Sequence, residues 1–196
     1  MTAPKRIIVK LFIENPQDVQ TEAVVHLFHR WIQGHAVEGL LIDVADYKHV
    51  FNGPGTILIG HEGDYAYTTS DGRAGLQYTL KQTSAESLNE ALAIALRRAV
   101  DAAEKFQSDE SLSDIHVNFR EIQIALADRL QYPNQPEVIA AVLPHVQSFT
   151  DVLFGGETVV QVADDDKRNL ITFIVKAETP ISLEDVVQRL AVAQVG

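Results

Sequence analysis

Apolar and polar positions alternate along this chain in two periods, one of strands and one of helices. Ile7 to Ile13 is apolar almost throughout, broken only by Lys10, and reads as a buried strand. Asn15-Pro16 stops it. From Thr21 to Gln33 the residues Val24, Val25, Phe28, Trp31 and Ile32 recur at helical spacing, and Gly34 stands where a helix ends. Leu40 to Val44 and Thr56 to Gly60 read as two more strands, the first of them buried, around a loop containing Asn52-Gly53-Pro54-Gly55. Tyr65, Tyr67 and Thr69 alternate before Asp71-Gly72, as do Leu76, Tyr78 and Leu80 after it, which is the signal of a hairpin.

The longest helical pattern runs from Ser84 to Phe106, with Thr83 and Glu86 at capping-box spacing. Gln107 to Ser113 is polar and is the best linker. Beyond it, Ile115, Val117 and Phe119 share one parity while Ile122, Ile124 and Leu126 share the other. Side chains on a strand cannot change face without an extra residue, so a bulge is expected near Arg120-Glu121. Pro133 to Pro136 opens a helical stretch reaching about Phe154, expected to kink or divide at Pro144 because proline lacks the amide donor. Thr158 to Val162 and Leu170 to Lys176 are strands joined by a polar turn, and Ser182 caps a last helix to about Val192.

The expected fold class is α+β: two ferredoxin-like halves of βαββα type, with mixed sheets covered by helices and the first half expanded by a β-hairpin. The expected division is a βαβββα half at residues 1–109 and a βαββα half at 110–196, sharing a core.

Composition narrows the chemistry. The 196 residues include no cysteine, which excludes disulfides, thiolate metal sites and a catalytic thiol, and suits a reducing cytoplasm. Neither a signal-peptide pattern nor a run of eighteen apolar residues is present, so the expectation is a cytoplasmic protein with no membrane partner. A formal charge of −11 repels phosphate backbones and argues against nucleic acid as a partner. Residues 84–196 carry a net −9 and residues 1–83 only −2, while the first part holds five of the seven His and eight of the eleven Gly. Unusual local chemistry is therefore sought in the first part.

Within it, Asp43, Asp46, His49, His61 and Glu62 are the catalytic candidates. If the second and third strands are neighbours, their ends could bring imidazoles and carboxylates together for acid–base work, with His49, His61 and Glu62 as metal-ligand candidates. Gly53, Gly55, Asp64, Tyr65 and Arg73 are ligand-binding candidates around the same turns. Turns collect such residues for conformational reasons alone, no metal motif is satisfied, and neither a metal nor a cofactor is expected. Pro54 removes a donor from the glycine loop, which suits a tight turn better than an anion cradle. His26 and His29 fall opposite the apolar stripe of their helix, and Asp164-Asp165-Asp166 lacks the offsets of a calcium loop.

The segments His29-Arg30-Trp31-Ile32-Gln33, Leu41-Ile42-Asp43-Val44-Ala45-Asp46-Tyr47, Gly53-Pro54-Gly55 with Leu58-Ile59-Gly60-His61-Glu62, and Asp71-Gly72-Arg73 resemble an uncharacterised bacterial protein family. The resemblance covers residues 7–81 and implies no activity, cofactor or site residue. The leading expectation is a non-catalytic binding or assembly protein forming a homodimer. The alternative is a small-molecule enzyme, metal-assisted, with its site in residues 43–73.

Overall fold

A computed structural model describes residues 1–51, 53–178 and 183–192. Among the described residues eight strands and four α-helices follow one another as β1 (Ile7–Ile13), α1 (Thr21–Gly34), β2 (Leu41–Asp46), β3 (Thr56–Gly60), β4 (Gly63–Thr68), β5 (Gly75–Leu80), α2 (Leu88–Gln107), β6 (Val117–Leu126), α3 (Pro136–Phe154), β7 (Thr158–Val162), β8 (Ile171–Ala177) and α4 (Leu183–Val192). The strands form one sheet in the order β2-β3-β4-β5-β1-β6-β8-β7, and each neighbouring pair is antiparallel. The expectation of mixed sheets is thereby corrected. The first half holds five strands rather than four, because the hairpin supplies two.

The halves meet where β1 pairs with β6, between the fifth and sixth strands of the sheet. In the second half, β8 lies between β6 and β7, the two strands that α3 connects. In the first, β3, β4 and β5 lie between β1 and β2, the two that α1 connects. Around the polar stretch 107–113, Leu112 and Ile115 are buried in a single core that draws on both halves.

That core lies on one face of the sheet. Ile7, Val9, Leu11 and Ile13 of β1 point into it with Leu76, Tyr78 and Leu80 of β5 and Ile122, Ile124 and Leu126 of β6. Helix α2 lies over β1 and β5, α1 over β2 and β3, α3 over β7 and β8, and α4 packs on α2 and α3. Period-two alternation sends Ile8, Lys10 and Phe12 to the other face. The bulge falls as expected: Leu11 pairs with Ile122 and Phe12 with Asn118, leaving residues 119–121 as the insertion.

Several local expectations are corrected. Helix α2 starts at Leu88 with Ser87 and Glu90 as its capping box, four residues after Thr83 and Glu86. Thr2 bridges to Ser87 and the Leu88 amide donates to the Met1 carbonyl, so the N-terminal segment holds this stretch out of the helix. Helix α1 closes on His35, whose φ of 47° is left-handed, rather than on Gly34. Helix α3 runs as one element through Pro144. Strand β2 is an edge of the sheet and is partly exposed along its length, not buried. The Ser182 cap lies outside the described residues.

Candidate functional site

Strands β2 and β3 are neighbours, as the candidate site required, but their antiparallel register separates the candidate groups. Asp46 stands opposite Thr56 and Leu41 opposite Gly60. Asp46 and His49 thus sit at one end of the pair and His61 and Glu62 at the other. Four strand steps divide them, about 13 Å. Asp43, midway and exposed, accepts a hydrogen bond from the Val44 amide at 2.8 Å. Asp46 accepts the Lys48 amide at 2.9 Å, and His49 and His61 are exposed. Among the described residues no three of His, Asp and Glu stand close enough to share a cation.

The glycine loop is structural. Gly55 has a φ of +80°, and a Cβ there would stand 2.1 Å from the Tyr67 carbonyl oxygen. Only glycine lets the β2–β3 loop close against β4. Gly53 donates to the Val50 carbonyl at 2.9 Å in the same tight turn.

The remaining candidates fall into three separate environments. Asp64 accepts from the Gly60 amide at 3.1 Å and from Lys81 at 2.7 Å. Tyr65 donates to the Glu38 carbonyl at 2.8 Å, and burial pushes its hydroxyl above the ordinary range, against the pull of the Arg98 guanidinium. Tyr78 beside it is pushed up to about 12, again by burial. Glu62 accepts the Leu40 amide at 2.8 Å, and that bond chiefly holds its carboxyl below the usual range.

Arg98 organises this corner and was not singled out from the sequence. Its Nη2 reaches Glu38 at 2.7 Å, Arg97 reaches the same carboxylate at 3.1 Å, and its Nε and Nη1 are buried without hydrogen-bond partners. The cluster holds residues 38–40 against the sheet and so fixes where β2 begins. Its only sequence signal is an arginine on a helix face otherwise built of Ala91, Ala95, Ala99 and Ala102.

Arg73 belongs to the face opposite the helices. Its guanidinium lies 3.5 Å from the Phe12 ring centroid and pairs with Glu121 at 2.6 Å. Beneath the same turn, Lys10 is 0% exposed and donates to the Ser70 carbonyl at 2.8 Å. Burial lowers its pKa, with Asp71 opposing and Arg73 reinforcing the shift. Gln77 and Gln123 flank it in register.

Two open clefts, of about 750 Å³ beside Ile94 and Phe149 and about 540 Å³ beside Lys5 and Lys81, are lined by none of the ten candidates. What does concentrate in residues 40–51 is exposed apolar surface. Leu40 is 63% exposed, Ile42 58% and Phe51 93%, with Tyr47 and Val50 also exposed. Among the described residues no helix is long and apolar enough to cross a membrane. No protein-family model, curated protein or solved structure matches the chain.

Proposed function

We propose that this chain is a non-catalytic binding or assembly protein, and that its contact surface is the β2 edge with the turn that follows. One observation carries the reading. Five large apolar side chains are exposed within twelve residues of sequence: Ile42 on the edge strand β2, Leu40 just before it, and Tyr47, Val50 and Phe51 in the turn after it. Such edges are ordinarily blunted, because unpaired backbone beside apolar side chains recruits another strand. The dispersal of Asp43, Asp46, His49, His61 and Glu62 supports the same side against the enzyme alternative, which needs them within hydrogen-bond reach.

The ferredoxin-like description of the halves fits this reading. The β6-β8-β7 order, with α3 joining the outer two, is the split βαβ arrangement, and β1 fills the place beside β6. Each half then completes the other's sheet at the β1–β6 pair, leaving β2 and β7 as the free edges.

The test is substitution on that surface. Ile42→Asp and Phe51→Ser should abolish concentration-dependent association in sedimentation experiments while leaving the circular dichroism unchanged. Association that survives both substitutions would place the contact elsewhere.

A further inference from the structure

Resting on that reading, we propose that the partner of the β2 edge is a second copy of this chain, paired antiparallel about a twofold axis at Val44. Two eight-stranded sheets then become one of sixteen.

Three observations lead to this arrangement. The first is the distribution of the exposed apolar residues around Val44. Leu40 and Ile42 precede it, whereas Tyr47, Val50 and Phe51 follow it. A twofold axis at Val44 sets Leu41 of one copy opposite Tyr47 of the other, twice over, with Ile42 opposite Asp46 and Leu40 opposite Lys48, so the self-complementary apolar contact is the Leu41–Tyr47 pair.

The second is backbone direction. The Tyr47 amide donates to the Gly55 carbonyl at 2.9 Å, so Tyr47 faces β3. Alternation then turns the Val44 and Asp46 amides outward. In the single chain the Val44 amide is held by its neighbour Asp43, a local bond that an incoming carbonyl replaces.

The third is register. Residues opposite one another in an antiparallel pair share a face, so a twofold pair must place one residue opposite itself. A centre at Asp43 or Asp46 sets a carboxylate against its own copy, which is unfavourable. A centre at Ala45 shifts the overlap off Leu41 and toward Lys48. A centre at Val44 puts Asp43 opposite Ala45 and pairs the regular stretch Asp43–Ala45, with the register shift between Leu41 and Asp43 falling at the ends of the contact.

The chain has no cysteine, so an introduced thiol is the only one present. Cα atoms across a hydrogen-bonded antiparallel pair lie about 5.5 Å apart, within the reach of a disulfide. Under mild oxidation Val44→Cys should become a covalent dimer and Asp46→Cys should stay single. In the native chain, amide exchange at Val44 and Asp46 should slow roughly tenfold or more between dilute and concentrated samples. A covalent dimer from Asp46→Cys but not Val44→Cys overturns the register. Association without slowed exchange in β2 overturns this inference and leaves an assembly role elsewhere on the molecule. A native chain that stays single at every concentration overturns the self-pairing, while binding of a foreign strand would still leave the edge a contact surface.

Discussion

The carboxylate of Asp43 accepts the amide of the next residue, Val44, at 2.8 Å, so the edge strand closes one of its own outward donors. That bond and the charge behind it both oppose pairing with another strand. Asp43→Thr removes them and should strengthen self-association roughly tenfold, as judged from two symmetric pair terms of a few tenths of a kcal/mol to about 1 kcal/mol each. Sedimentation equilibrium measures this directly. Unchanged or weaker association would show that Asp43 does not guard the edge.

Lys10 offers a test in the interior. Its amine is fully buried and its pKa is lowered, so between its folded value and the ordinary 10.5 the unfolded chain binds the extra proton. The cost to stability is therefore full at neutral pH and is relieved as the pH rises toward 10.5. Lys10→Met should stabilise the fold at pH 7 by on the order of 1 kcal/mol, with the advantage narrowing toward pH 10. Paired urea titrations at the two pH values check the sign. An advantage that widens with pH would contradict the account.

Asp151 fastens the end of α3 to β7. Its Oδ1 accepts from the Thr158 amide, the Thr158 hydroxyl and Gln147, each at 2.8 Å. Burial pushes its carboxyl up, and the Thr158 and Gln147 bonds together outweigh that and hold it below the ordinary range. The stabilisation is present at neutral pH and is lost as the pH falls through the folded value. Asp151→Asn should cost about 1–2 kcal/mol at pH 7, with the difference closing in acid. Thermal melts of both chains across that range would show it.

Gly55 should tolerate no side chain. Its positive φ and the 2.1 Å approach of the Tyr67 carbonyl both penalise a Cβ. Gly55→Ala should cost about 2–4 kcal/mol and loosen the β2–β3 pair first. Denaturant unfolding gives the magnitude, and amide exchange in β2 and β3 gives the location.

What could be read in the sequence was what depends on near neighbours. The parity change between Phe119 and Ile122 announced the β6 bulge, and Asp71-Gly72 announced the β4–β5 hairpin. The start of α2 was misplaced because Thr83-Glu86 and Ser87-Glu90 have the same spacing, and only a contact with residues 1–3 selects the second. Leu40 to Val44 reads as buried because a local pattern does not say which strand ends up on the edge. The candidate groups are spread along the strand pair for a related reason. Adjacency of β2 and β3 was anticipated, but their antiparallel direction carries His49 and His61 to opposite ends. Arg98 went unnoticed because its significance lies in Glu38 and Tyr65, which are distant in sequence and near in the fold.

The most direct measurement is the mass of the native chain in solution as concentration and salt are raised together. Each copy carries −11, so two copies repel, and screening should favour contact made through backbone and apolar side chains. The account predicts a mass rising from 21.7 kDa toward twice that value, and rising further in high salt. A mass fixed at 21.7 kDa throughout, or an assembly that salt dissolves, would contradict it.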